Sequence, residues 1–113
     1  MNTVTISVEP MASVTGRMQR AFGGETQGHH ISFPSVELLW RVLAPKRMDI
    51  VRVLTGQPPL AIREVARRVG RDVKAVHADV TALLNAGVLD RTDDGVVFPY
   101  DDVHIDFRLA TAA

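Results

Sequence analysis

The sequence contains no cysteine. Disulfides and thiolate metal sites are therefore excluded, and a reducing cytoplasm is the expected compartment. No run of about 18 apolar residues occurs, so no membrane span is expected. The opening stretch MNTVTISVEP has no basic region followed by an apolar core, so no secretory leader is expected either. Gly-rich phosphate loops and nucleophile–base constellations are missing, which argues against an enzyme and against a bound cofactor. Internal repeats and low-complexity tracts are also absent. What remains is an ordinary globular composition: 113 residues, 46% hydrophobic and 23% charged. That length supports one domain with a modest core.

The formal net charge is zero, but the charges are unevenly spread. Between Arg41 and Lys74 there are nine basic residues and three acidic ones, a local charge of +6. From Ala75 onward two basic residues face seven acidic ones, a local charge of −5. A basic middle and an acidic tail imply two different partners, or one side facing phosphates and one turned away.

The basic middle carries the clearest pattern. In IREVARRV, residues Ile62, Val65, Ala66 and Val69 follow the i, i+3, i+4, i+7 spacing of a buried helical stripe. Gly70 follows, where a left-handed C′ residue costs glycine nothing. Asp72 is placed to N-cap a second helix, whose apolar stripe is Val73, Val76, Val80, Leu83 and Leu84. Gly87 closes it. Short helix, glycine turn and longer helix make a helix-turn-helix pattern, whose second helix is the usual reader of a major groove.

Upstream, Thr3–Val8 alternates apolar and polar residues, as a strand with one buried face does. Pro10 opens an expected helix to about Phe22, with Met11, Val14, Met18 and Phe22 at helical spacing. GGETQGHH is expected to be a polar loop. After the short apolar Ile31–Phe33, Ser35 caps a helix with Val36, Leu39, Trp40 and Leu43 on one face, placing the tryptophan in or beside the core. Pro45 begins another helix, with Met48, Ile50, Val51 and Leu54 inward. Downstream, Val88–Arg91 and Val96–Phe98 flank a turn carrying Asp94-Gly95, a hairpin signal. A hairpin directly after such a helix is a wing. Val103, Ile105, Phe107 and Leu109 then alternate with polar residues, as in an edge strand or a subunit contact.

The expected fold is α+β, mainly α: a winged helix-turn-helix with an N-terminal strand-plus-helix extension and a C-terminal extended strand. Residues 1–30 form the extension, with dimerisation as its expected role, and residues 31–113 form the main domain. Three stretches resemble small MarR-like winged helix-turn-helix proteins, many of them regarded as antitoxins. They are ISFPSVELLWRVLAPKRMDIVRVL, IREVARRVGRDVKAVHADVTALLNAGVLDR and GVVFPYDDVHIDFRL. The resemblance implies binding to double-stranded DNA and repression, with the protein's own operon as one target and a toxin as one partner. Without it, a winged protein-interaction module is the alternative, its acidic 101–106 stretch adding a strand to a basic partner. A small-molecule sensor is a third reading.

With the apolar stripe inward, Lys74, Ala75, His77, Ala78 and Thr81 fall on the other faces of the second helix, by the 100° step per residue. Arg71 sits in the turn and Lys74 in the first helical turn, where groove-reading helices present side chains to bases. Arginine and lysine pair with guanine acceptors, and alanines permit close approach. A merely solvated polar face is the competing reading. Arg63 and Arg67 on the preceding helix are candidate phosphate contacts. Arg68 is placed to pair with Glu64 at i, i+4. Lys46 and Arg47 open the earlier helix and have a weaker claim on the backbone. His77 suits either a DNA contact or a packing contact near Asp79. The expected hairpin tip is acidic through Asp93 and Asp94, so the wing either stays clear of DNA or reaches it only through Arg91. His29 and His30 lack a third metal ligand and suit a solvated loop better. Asp101, Asp102 and Asp106 suit turns and an exposed strand face.

Overall fold

The computed structural model describes residues 2–9 and 29–108. The helix expected from Pro10, the GGETQG part of the polar loop, and Leu109 lie outside the described residues. Along the described chain the elements run β1 (Thr3–Val8), β2 (His29–Phe33), α1 (Val36–Val42), α2 (Pro45–Leu54), α3 (Ile62–Val69), α4 (Val73–Asn85), β3 (Asp90–Thr92), β4 (Gly95–Val97) and β5 (Asp102–Asp106). The architecture is α+β.

The helix ends follow local chemistry. The Ser35 hydroxyl accepts the Leu38 amide at 3.1 Å and starts α1. Pro45 occupies the start of α2, where its missing N–H costs nothing. Gly70 ends α3 at φ 70°, and its N–H donates to the carbonyls of Ala66 and Arg67. Two residues later the Asp72 carboxylate accepts the Ala75 amide at 3.2 Å and starts α4. This pair of signals makes the turn between α3 and α4 short, so the two helices pack directly on one another and on α2.

The buried side of α4 is Val76, Val80 and Leu83, with Leu84 partly covered. Val73 departs from the expected stripe and is 44% exposed. It is the first helical residue, at the end of the stripe. Ile50, Val51 and Leu54 of α2 and Val65 and Ala66 of α3 complete this part of the core. Leu39 and Leu43 join it, whereas Trp40 does not. The residue is 42% exposed, and its ring meets Phe107 edge-on at 5.1 Å.

Strands β2, β1 and β5 form a three-stranded sheet with β1 in the middle and both pairings parallel. The register sets Ile6 between Ile31 and Ile105, and pairs Val4 with Val103 and Val8 with Phe33. Paired residues share a face, so one side of the sheet is apolar and joins the helical core through Val4, Ile6 and Phe33. Two refinements follow. His29 and His30 belong to β2 rather than to a loop. The terminal strands β1 and β5 lie side by side in one sheet, and their shared apolar face packs on the core through Val4, Ile6, Val103 and Ile105.

Strands β3 and β4 are antiparallel, and the pair Thr92–Gly95 closes a two-residue loop, Asp93-Asp94. The loop is thus one residue earlier than the Asp94-Gly95 turn expected from composition. The reason lies outside the ribbon. Leu60, just before α3, exchanges two backbone hydrogen bonds with Val96, at 2.9 and 2.8 Å, and this draws the Gly95 backbone against it. Phe98 follows, fully buried, stacked edge-on with Tyr100 at 5.0 Å. No helix among the described residues is long and apolar enough to cross a membrane.

Candidate nucleic-acid interface

Helix α4 is fixed to the core along one side only. Its opposite side leaves Lys74, Ala75, His77 and Ala78 exposed, in the arrangement expected from the helical step. Thr81 is half-buried, and its hydroxyl donates to the His77 carbonyl at 2.8 Å, so it is already engaged within the helix. The exposed face therefore offers one cation, one imidazole and two small residues over which another surface can come close.

Arg71 is not on that face. Its side chain is only 20% exposed and donates through Nη2 to Asp79 at 2.8 Å. Asp79 also accepts Arg47 Nε at 3.1 Å. One carboxylate on α4 thus holds the turn before it and the start of α2. Burial works against the Asp79 charge, but the hydrogen bonds and charges of Arg71 and then Arg47 outweigh it. The carboxyl is held below its ordinary value. Arg71 keeps one buried guanidinium nitrogen, Nη1, without a partner. In the free protein the Arg71 side chain, expected from the sequence to face a base, is a structural clamp held by Asp79.

On α3, Arg63 is exposed, as is Arg67. Arg67 reaches Glu64 through Nε at 2.8 Å and Nη2 at 2.6 Å, and Arg68 reaches the same carboxylate at 2.7 Å. The hydrogen bonds from Arg67 and then Arg68 lower the Glu64 pKa to about 2. The pairing of Arg68 with Glu64 follows from its i, i+4 spacing, whereas that of Arg67 is an i, i+3 contact. Arg91 stands exposed on β3, and the acidic loop beside it is exposed too. The structure therefore brings Lys74, Ala75, His77 and Ala78 together on α4. It places Arg63 and Arg67 on the neighbouring helix and Arg91 on the ribbon.

A cleft of about 650 Å³ opens beside the exposed face of α4. It is lined by Ala75, Ala78 and Asp79 of α4, by Arg71, by Pro45, Lys46 and Arg47 of α2, and by Arg41 and Ala44 before it. Sequence reasoning gives Lys46 and Arg47 only a minor place and gives Arg41 none. Their excess positive charge is visible in the sequence, but their convergence on α4 depends on the packing of α2. No group of three or more His, Cys, Asp or Glu side chains among the described residues is arranged to hold a metal ion.

A family model, HVO_A0114, matches residues 42–105, more than half of the chain. The matched stretch takes in α2, α3, α4, the ribbon and nearly all of β5. No curated protein matches.

Proposed function

We propose that this chain, which belongs to the HVO_A0114 family, is a sequence-specific DNA-binding regulator that reads a major groove with α4. In this reading α2, α3 and α4 with the β3–β4 ribbon are a winged helix-turn-helix. The observation that carries it is the two-sidedness of α4. Val76, Val80 and Leu83 are fully buried, while Lys74, Ala75, His77 and Ala78 stand clear on the other side. Such a helix is rigidly held yet free to enter a groove about 12 Å wide. Lys74 and His77 would then meet base edges, with Ala75 and Ala78 allowing close approach. Arg63 and Arg67 would contact phosphates, Arg67 at the expense of its pairing with Glu64. Asp93 and Asp94 keep the ribbon tip away from the duplex by repulsion, leaving Arg91 as its one candidate contact.

The likeness to MarR-like, antitoxin-type regulators extends this reading to autorepression by a homodimer. Two α4 helices would address half-sites roughly 34 Å apart. A toxin partner would then occupy a surface away from α4. The outer edge of the sheet is one such surface: β5 pairs only with β1 among the described strands and exposes Asp102, His104 and Asp106.

The test is fluorescence anisotropy with the DNA upstream of the protein's own gene against random duplex. The expected result is a preference for the upstream DNA, with Lys74→Ala and His77→Ala each weakening that complex. Removing a base contact is worth about 1–3 kcal/mol, roughly 5- to 150-fold in Kd. Equal binding to both duplexes, or two variants indistinguishable from wild type, would remove α4 as a reader. Binding to a protein partner with little salt dependence would favour the interaction-module reading.

A further inference from the structure

We infer that the cleft between α2 and α4 is a phosphate seat, and that its occupant is a backbone phosphate of the duplex lying on α4. The inference rests on the reading of α4 above and adds a site to it. Four cations line the cleft, Arg41, Lys46, Arg47 and Arg71, against one carboxylate, Asp79. Asp79 accepts from Arg47 and Arg71. Arg41 and Lys46 are exposed, and no side-chain hydrogen bond or ion pair engages either among the described residues. An anion entering the cleft therefore meets two uncommitted cations first.

A further feature points the same way. Helix α2 begins at this cleft without a side-chain cap. Its first turn thus adds partial positive charge that no residue of its own neutralises.

The choice of duplex over free phosphate follows from the shape of the site. Ala75 and Ala78 belong both to the lining of the cleft and to the exposed face of α4. A duplex laid on that face would have its backbone beside the groove, next to the residues that the face shares with the cleft. Its small residues, Ala44, Pro45, Ala75 and Ala78, leave room for the strand. Arg41 and Lys46 lie at the open surface rather than in an enclosed pocket. Contacts of this kind give affinity and register without sequence preference.

The experiment is a salt titration of DNA binding by wild type and by Arg41→Gln/Lys46→Gln. Arg52→Gln serves as control, an exposed α2 arginine outside the cleft and paired with Asp49. The double variant is expected to weaken upstream and random duplexes to the same degree. The slope of log K against log salt should become shallower by about 0.9 for each phosphate that is no longer neutralised. Arg52→Gln should leave the slope unchanged. Wild-type binding with an unaltered slope in the double variant overturns the phosphate seat and leaves the α4 reading intact. A wild type that binds no duplex overturns both. In a parallel arm, inorganic phosphate is titrated into the protein by calorimetry. Saturable binding of free phosphate that the double variant abolishes, together with an unaltered DNA slope, assigns the cleft to a small anion and overturns the duplex.

Discussion

Gly95→Ala is expected to be the most damaging glycine-to-alanine change among the described residues. Gly95 opens β4 at φ 140°, a region that side chains rarely enter. A Cβ there would collide with the carbonyl group of Leu60 and lie 2.8 Å from the Ala61 amide nitrogen. These are backbone atoms, so no rotamer change relieves the clash. The Leu60–Val96 bridge would have to open, removing two hydrogen bonds of about 0.5–1.5 kcal/mol each. Backbone strain of about 1–3 kcal/mol adds to this. The sum centres on about 4 kcal/mol, on the order of 20 °C in Tm for a chain of this size. Gly70→Ala is the control. Its φ is similarly positive, but a Cβ there meets nothing within 4 Å. Only the left-handed penalty of about 1–2 kcal/mol then applies. Thermal melts of the two variants should therefore differ by about 10 °C or more on that scale. Equal losses of stability would mean that close approach of Leu60 does not set the ribbon's position.

Local structure is disclosed by the sequence, and structure that joins distant positions is not. Residues three or four apart meet on a helix, so the stripe Val76, Val80 and Leu83, the caps Ser35 and Asp72, and the Glu64–Arg68 pair are all legible. Arg71–Asp79 is not, because it joins a turn to a helix across eight positions, and Arg47–Asp79 spans thirty-two. The same limit hides the sheet. Alternation identifies β1 and β5 as strands, yet nothing in either says that Val4 pairs with Val103 or that the pairing is parallel. Trp40 escapes the sequence for a different reason. Helical spacing gives the residues that share a face, but Leu39 turns to the core while Trp40 meets Phe107 on the surface. Among the candidate site residues, Lys74, Ala75, His77 and Ala78 are legible because they are what the apolar stripe leaves over, whereas Thr81 is half-buried and bonded within the helix. Arg71 is not legible, because a turn residue has no stripe to orient it.

Asp79→Asn is expected to produce the second large effect, and it separates two roles of one residue. The Asp79 side chain is 18% exposed, and both of its arginine partners are less than one-third exposed. Removing the negative charge leaves two partly buried guanidinium groups on one amide oxygen, with like charges brought together. Removing one partner of a fully buried pair costs about 3–5 kcal/mol, and partial exposure reduces this to about 2–3 kcal/mol. The wild-type pH dependence fixes the sign. The folded-state pKa of Asp79 lies below its ordinary value of 3.8. Its stabilisation is therefore complete well above pH 3.8 and is lost as pH falls through the folded value. Asp79→Asn should accordingly lower Tm at neutral pH by on the order of 10–15 °C and show a weaker loss on acidification than wild type. Under the DNA-binding proposal, its effect on DNA should run the other way. With the carboxylate gone, Arg47 and Arg71 become available to phosphates, so at temperatures where the variant is folded its salt slope should steepen by up to about 0.9 for each arginine recruited. Reduced stability without a steeper slope would confine Asp79 to holding α4 against α2. A steeper slope with unchanged stability would mean that the three side chains hold DNA-binding charge in check without contributing to the fold.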